Sequence, residues 1–192
     1  MSETNLHILI VGVGGQGTLL ASRVLGRYAM LSGMDCKLSE VHGMAQRGGS
    51  VVTHIKAGKA IHSPVITEGE ADIILAFELL EAKRWLHYLK PGGKLLVNSR
   101  RLLPMPVITG AAKYPEGLEQ ELESAGALLV DGLAAAKAAG SEKALNIYML
   151  GVLCAALSLD RQRFTQAVCE CVPQKALEIN LRALEAGLAE VK

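Results

Sequence analysis

Leu6-His-Ile-Leu-Ile-Val-Gly-Val-Gly-Gly-Gln-Gly17 begins as an apolar run and ends as a glycine loop. Residues 6–11 have the continuous apolar character of a strand that is buried on both faces of a parallel sheet. Beyond the loop, apolar side chains recur every three or four residues, which predicts a helix with one buried face up to Leu31. The order strand, glycine loop, helix indicates a doubly wound α/β domain.

The remaining sequence alternates between strand and helix patterns and then becomes purely helical. Strands are predicted at residues 36–41, 50–56, 71–77, 94–98, 107–109 and 127–131. Helices are predicted at residues 79–89, 115–124, 132–139, 147–157 and 161–171, with a last helix from Pro173 to about 189. Asn146 and Asp160 are the expected N-caps of two of these helices.

This order predicts the fold class α/β, with a doubly wound, mostly parallel, Rossmann-like sheet. Residues 57–59 are expected to turn the strand at 50–56 back onto residues 60–62, which would add a β-hairpin insertion. We therefore expect one domain over residues 1–192. Its α/β part covers about 6–140, and its helical C-terminus covers about 146–190.

Composition excludes several classes of protein. Half of the 192 residues are apolar and 20% are charged, which excludes intrinsic disorder. The net charge of +1 gives no global attraction to nucleic acid or to an anionic membrane. The most apolar later stretch, residues 144–159, is shorter than the roughly 20 residues that span a bilayer. We expect a cytoplasmic protein whose surplus of apolar residues is partly buried against another subunit.

The four cysteines form no C-x-x-C pair, so the sequence supports neither a zinc site nor an iron–sulfur cluster in this chain. It also contains no nucleophile-elbow, phosphate-loop or zinc-protease motif. We therefore predict no catalytic and no metal-binding residue. The expectation for the cysteines is that they are reduced, buried thiols. They are Cys36, Cys154, Cys169 and Cys171.

The glycine loop matches G-x-G-x-x-G at Gly12, Gly14 and Gly17, between a strand and a helix, where this motif binds phosphate groups. The free N–H groups at the helix start favour an anion, either a phosphate or a carboxylate. One candidate ligand is a nicotinamide dinucleotide, and binding of its ribose would need an acidic residue such as Glu40. The alternative is a tight turn that binds nothing.

A second glycine-rich loop lies between residues 41 and 50. In it, Arg47 could present its guanidinium group to a carboxylate or phosphate, and His42 could act as an acid, base or donor. If residues 6–11 and 36–41 are neighbouring parallel strands, both loops lie at the carboxyl edge where ligands bind. The alternative is a solvated, flexible turn.

Glu78 ends another predicted strand at the same edge, where it could orient a ligand or cap the helix that begins at Leu79. We interpret the pair Glu78 and Glu81 as first-turn helix charge rather than as an acid–base dyad. The predicted cofactor-binding residues are Gly12, Gly14, Gly15, Gln16, Gly17, His42, Gly43, Gln46, Arg47, Gly48, Gly49 and Glu78.

Three segments together, residues 10–17, 39–50 and 71–78, resemble the gamma-type domain of 2-oxoacid:ferredoxin oxidoreductases. Within that family, residues 42–49 are most similar to members that act on indolepyruvate. The resemblance implies oxidative decarboxylation of an aryl pyruvate to its acyl-CoA, with electrons passing to ferredoxin. Gamma subunits for pyruvate, 2-oxoglutarate or 2-oxoisovalerate, a free-standing dinucleotide-binding oxidoreductase and a non-enzymatic assembly scaffold stay open as alternatives.

The resemblance also implies a division of labour between chains. No cofactor would be bound by this chain alone, and thiamine diphosphate, magnesium and [4Fe–4S] clusters would lie on a larger catalytic subunit. Residues 12–17 would face coenzyme A, and residues 42–49 would reach toward the thiamine site. We expect a hetero-oligomer with two copies of each chain and no nucleic-acid or membrane partner.

Overall fold

The computed structural model describes residues 5–43 and 49–191. A six-stranded sheet is covered by helices on both faces. The strands are β1 (Leu6–Val13), β2 (Asp35–His42), β3 (Ser50–Gly58), β4 (Ala71–Ala76), β5 (Leu89–Asn98) and β6 (Ala127–Val130). The helices are α1 (Thr18–Leu31), α2 (Leu79–Trp85), α3 (Met105–Ile108), α4 (Leu118–Ser124), α5 (Gly132–Ala139), α6 (Leu145–Ala156), α7 (Arg161–Cys171) and α8 (Leu177–Glu190).

The strand order is β2-β3-β1-β4-β5-β6, and the sheet is mostly parallel. Strand β3 runs antiparallel to both of its neighbours, whereas β1, β4, β5 and β6 pair in parallel. The predicted doubly wound α/β class is therefore confirmed. Because β1 and β2 run in the same direction, the residues that follow both strands leave the sheet at the same edge.

The condition that β1 and β2 are neighbouring strands is not met, because β3 lies between them. The predicted hairpin between residues 50–56 and residues 60–62 is also wrong, because β3 pairs with other strands. Strand β3 pairs with β2 through eight residues, from Asp35 opposite Gly58 to His42 opposite Val51. This ladder is longer than the three-residue return strand that was predicted at 60–62. The backbone N–H of Ile61 instead donates to Asp35 at 2.9 Å.

The side chains of β1 alternate between two cores. Ile8 and Ile10 face a large core formed with α1, α5, α6, α7 and α8. Leu9 and Val11 face a smaller core formed with α2 and α4. A strand that is apolar on both faces is thus explained by helices on both sides of the sheet.

Two further element predictions are wrong. Residues 105–108 form helix α3 instead of a strand, since Pro104 and Pro106 favour the start of a helix. The helix predicted over 79–89 is α2, which continues as a 3-10 turn at Leu86–Tyr88, but the strand predicted over 94–98 begins already at Leu89. Pro91-Gly92-Gly93 then lie within β5, where the register shifts between Leu89 and Lys94. Proline is tolerated there because a bulge removes the need for its missing N–H.

The helical C-terminus packs around α6, in which every residue except Ala155 is buried. Helix α8 crosses it closely, since a Cβ atom on Gly187 would lie 2.1 Å from the Tyr148 carbonyl oxygen. The N-cap prediction is confirmed for Asp160, which accepts from the Arg163 N–H at 3.0 Å. It is wrong for Asn146, which lies inside the first turn of α6. In the described ranges, no helix combines the length and the apolar character needed to cross a membrane.

Candidate functional site

The glycine loop is held rigidly by its own side chains. Gln16 accepts from the Val13 N–H at 2.8 Å and donates to the Phe77 carbonyl oxygen at 3.0 Å. A Cβ atom on Gly12 would lie 2.6 Å from the Gln16 side-chain oxygen and 3.1 Å from Phe77 Cβ. Gly12 therefore provides space for the glutamine that connects β1, the loop and the end of β4.

The last two glycines of the loop have left-handed backbone conformations, with φ of +97° at Gly15 and +83° at Gly17. A Cβ atom on Gly17 would lie 2.5 Å from the side-chain nitrogen of Asn146, whereas one on Gly15 would meet nothing within 4 Å. The close approach at the third glycine of the motif is therefore made by α6. In the usual form of this motif, the third glycine instead allows close packing of the helix against the strand.

The two predicted loops are joined directly, because the Gly14 N–H donates to the Gly49 carbonyl oxygen at 2.9 Å. The Gly43 N–H donates to the Ser50 carbonyl oxygen at 3.0 Å and closes the end of the β2–β3 hairpin. Thus the structure brings Gly12, Gly14, Gly15, Gln16 and Gly17 together with His42, Gly43 and Gly49. The predicted site residues Gln46, Arg47 and Gly48 lie outside the described residues.

His42 lies against Glu40 at the end of β2, with 2.5 Å between Nε2 and a carboxylate oxygen. The second oxygen of Glu40 accepts from the Thr53 hydroxyl at 3.0 Å. Because β3 separates β2 from β1, this carboxylate stands two strand spacings, about 10 Å, from the strand before the glycine loop. This geometry disfavours Glu40 as the ribose-binding residue of a nicotinamide dinucleotide.

Helix α1 begins at the glycine loop without a side-chain cap, so its first N–H groups and its dipole are available to an anion. Next to this helix start is a cavity of about 260 Å³, the cation cavity, lined by Gly15, Gln16, Gly17, Arg100, Lys143 and Asn146 together with Glu142 and Leu145. Glu142 is paired with Lys137 at 3.1 Å, so a positive charge remains at the cavity.

Sequence reasoning missed Arg100 and Lys143, and it assigned Asn146 to helix capping. Arg100 follows β5 at the same sheet edge, and a basic residue just after a predicted strand was the available signal. Nothing local in the sequence indicated Lys143, because the 3-10 turn Glu142–Ala144 that carries it packs against the loop only in the folded chain.

Two more cavities adjoin the glycine loop. The hairpin cavity, about 610 Å³, is lined by Gly14, Gly15, Gly17, Thr18, Leu19, His42, Gly43 and Val51. The apolar cavity, about 730 Å³, lies across Gly14 from it. Its walls are α2 and the segment 102–115, and its lining includes Val13, Ser50, Glu78 and Val107. Gly14 lines both of these cavities, so they meet at the loop.

Glu78 caps α2, as one of the two sequence interpretations predicted, by accepting from the Glu81 N–H. Only 1% of Glu78 is exposed, and burial raises the pKa of its carboxyl group. Glu81 is also buried, but it accepts from Ser50 and Trp85 and pairs with Arg84 at 3.2 Å. The two carboxylates therefore have different environments, and Glu81 has charge compensation within α2.

Metal-binding geometry is not found within residues 5–43 and 49–191, where no group of three or more His, Cys, Asp or Glu side chains could hold an ion. The cysteines are free and scattered; Cys154 is buried, Cys36 and Cys171 are half-buried, and Cys169 is exposed, contrary to the expectation that all are buried. Burial raises the pKa of Cys154 to about 11, which makes it a poor nucleophile.

Comparison with known proteins shows the family of this chain. Residues 7–190 match the family described as pyruvate ferredoxin/flavodoxin oxidoreductase. The chain is 37% identical over 200 residues to the indolepyruvate oxidoreductase subunit IorB of Pyrococcus horikoshii, covering 100% of this chain and 98% of that protein.

Solved structures show the same fold. A keto/oxoacid ferredoxin oxidoreductase gamma subunit from Geobacter sulfurreducens is 26% identical, with a TM-score of 0.72 and coverage of 96% and 97% of the two chains. The 2-oxoglutarate:ferredoxin oxidoreductase of Magnetococcus marinus, solved with 2-oxoglutarate, coenzyme A and succinyl-CoA, is 17% identical with a TM-score of 0.73. There the match covers 98% of this chain and 31% of that one. The chain therefore belongs to the pyruvate ferredoxin/flavodoxin oxidoreductase family, and it is an oxidoreductase subunit.

Proposed function

We propose that this chain is the gamma-type subunit of an indolepyruvate:ferredoxin oxidoreductase and that it holds coenzyme A at the glycine loop. The observation that carries the proposal is the cation cavity, in which the uncapped start of α1 meets Arg100 and Lys143. Neither side chain is paired with an acid among the described residues. Two free cations at a helix N-terminus suit a phosphate group.

Coenzyme A matches the size and character of the adjoining space. Its phosphates suit the cation cavity, and its long uncharged arm suits the hairpin cavity, which shares Gly15 and Gly17 with it. The Magnetococcus enzyme, whose fold this chain shares, was solved with coenzyme A. The same arrangement gives less support to a free-standing dinucleotide-binding enzyme, because Glu40 is turned toward Thr53 and His42.

The chemistry itself belongs to a partner in this proposal. Thiamine diphosphate, a magnesium ion and [4Fe–4S] clusters would be bound by a larger catalytic subunit, which would pass electrons to ferredoxin. Leu19 and Val41 flank the loops, and each is 56% exposed. We assign this edge to the interface with the catalytic subunit. Cytoplasmic location and a stoichiometry of two copies of each chain stay predictions.

Co-expression with the thiamine- and cluster-bearing subunit tests the proposal. We expect reduction of a viologen dye that depends on indolepyruvate, on coenzyme A and on this chain. Full activity of the catalytic subunit without this chain would contradict the required role. Saturable micromolar binding of NADH by the isolated chain would favour the dinucleotide-binding alternative instead. Wild-type kinetics after substitution of both glycine loops, with assembly intact, would favour a scaffold.

A further inference from the structure

The apolar cavity is not needed to hold phosphates or the uncharged arm of coenzyme A. Its volume of about 730 Å³ is typical of small-molecule sites. One wall is an apolar run that includes Leu102, Leu103, Met105 and Val107, which sequence reasoning did not connect with a site. The opposite wall is α2, which presents Glu78.

Glu78 is a buried polar residue of this cavity, and one of its carboxyl oxygens has no partner among the described residues. One carboxyl oxygen caps α2, whereas Oε2 is buried and makes no hydrogen bond within the described residues. The backbone N–H groups of Leu80 and Leu102 interact with the Glu78 carboxyl group and oppose the rise in its pKa that burial causes. A buried oxygen without a donor is rare in native proteins. A ligand in the cavity could supply the missing donor.

A second unpartnered group lies beside this one. The hydroxyl group of Tyr114 is buried without a hydrogen-bond partner among the described residues. Burial and the neighbouring Glu78 raise its pKa to about 12, so it stays a neutral donor. Tyr114 lies between Lys113 and Pro115, which both line the cavity. The site therefore combines a large apolar wall with a small polar patch.

We propose that the apolar cavity binds an uncharged aromatic group that carries one N–H donor, and that Oε2 of Glu78 accepts from that N–H. A purely aliphatic occupant would fill the space but leave Oε2 unpaired. The neighbouring Glu81 is already compensated by Arg84, so no further cation is required. Resting on the proposed function, the aromatic group is the indole ring of the 2-oxoacid or of its acyl product.

The position of the cavity agrees with this assignment. Val13, Gly14 and Ser50 form its rim at the glycine loop, and Gly14 also lines the hairpin cavity. A ligand whose acyl end enters the apolar cavity can therefore be continuous with one held at the loop. The cavity would then select the side chain of the oxoacid, with Glu78 and Val107 as specificity-determining residues.

The first test compares indole with 1-methylindole, which has the same ring system without the N–H, by calorimetric titration of the isolated full chain. We expect saturable indole binding that is at least about tenfold tighter than 1-methylindole binding, because a buried acceptor rejects a ligand without its donor. Glu78→Leu should abolish the preference. Equal affinities for the two probes in the wild-type chain, or no binding of either, would overturn the proposal.

The second test uses the assembled complex and a matched pair of substitutions on α3. Val107 lines the cavity, whereas Ile108 is 62% exposed and does not. Val107→Phe should lower the ratio of kcat/KM for indolepyruvate to that for pyruvate by about tenfold, since it fills space needed by the larger side chain. Ile108→Phe should leave the ratio unchanged.

The two proposals fail in different ways. An unchanged ratio in Val107→Phe, in a complex that oxidises both acids, overturns the aromatic site and leaves the proposed function intact. A wild-type complex that oxidises no 2-oxoacid overturns the proposed function. In that case, the comparison of indole with 1-methylindole on the isolated chain still decides whether the cavity binds an aromatic N–H group.

Discussion

The side-chain nitrogen of Asn146 donates to the backbone carbonyl oxygen of Gly17 over 3.3 Å, and so α6 holds the end of the glycine loop. The two residues are 129 positions apart in the chain. The Asn146 side-chain oxygen accepts from the Ile147 N–H at 2.9 Å. The helical C-terminus therefore forms part of the binding edge as well as covering the sheet.

Gly17→Ala should destabilise the protein more than Gly15→Ala. Both residues have positive φ, so each alanine costs about 1–2 kcal/mol of backbone strain. At Gly17, the added Cβ would also push Asn146 away from a contact of 2.5 Å. We expect Gly17→Ala to lower the free energy of unfolding, measured by urea unfolding, by about 2–4 kcal/mol in total. Equal losses in the two variants would contradict the role given to Asn146.

Arg100→Ala should weaken coenzyme A binding, and Arg101→Ala is its matched control. Arg100 lines the cation cavity, whereas Arg101 points to Glu119 at 3.5 Å. Loss of one charge-assisted contact with a phosphate corresponds to about 1.5–3 kcal/mol, or a rise of roughly tenfold or more in the KM for coenzyme A. The measurement is steady-state viologen reduction by the complex. A comparable rise in Arg101→Ala would remove the cation cavity from consideration as the phosphate site.

Glu78→Gln should change how stability depends on pH. Burial raises the pKa of Glu78 in the folded state above its ordinary value of 4.5. The folded chain then binds more protons than the unfolded chain as pH rises from that value, so wild-type stability falls over this range. Glutamine does not titrate, so the free energy of unfolding of the variant should improve relative to wild type between pH 4 and pH 8. The measurement is the urea midpoint of wild type and of Glu78→Gln across this pH range, with the exposed Glu116→Gln as control. A difference between wild type and Glu78→Gln that does not change with pH would refute the prediction.

His54 should make the protein sensitive to acid. Its buried ring accepts from the Ile66 N–H at 3.2 Å, and burial, followed by the charge of Lys56, lowers its pKa below 6.5. As pH falls below 6.5, the unfolded chain binds a proton that the folded chain resists, so stability is lost. In thermal unfolding, the difference in Tm between wild type and His54→Asn should become smaller as the pH is lowered from 7.5 to 5.5. His62→Asn is the control. A Tm difference that becomes larger as the pH falls would contradict this prediction.

Much of the framework could be predicted because its signals are local. The β1–loop–α1 unit, α5 and the cap at Asp160 each follow from a few adjacent residues. The position of β3 in the sheet could not be predicted, because the sequence pattern of a strand does not show which other strand it pairs with. Helix α3 was mistaken for a strand because a three-residue apolar run has no readable period.

The candidate site likewise has parts that local sequence signals predict and parts that only the folded chain reveals. Glycine spacing revealed the loop, and the expectation that two glycine loops share an edge holds, although β3 separates their strands. The residues that give the cation cavity its charge come from segments after β5 and before α6. Only tertiary packing brings them together. The sequence predicts that Glu78 either orients a ligand or caps a helix, and its unpaired oxygen is visible only in the folded structure.

The central place of β1 in the sheet also affects biosynthesis. A ribosome makes β1 before it makes the two neighbouring strands β3 and β4, and the pairing of β1 with β4 reaches as far as Ala76. Until then, residues 6–13 carry unpaired backbone groups and exposed apolar faces, which are conditions that favour aggregation. The nascent chain should therefore depend on chaperones between the emergence of β1 and that of β4, and cotranslational protease protection should appear only after β4 has left the exit tunnel.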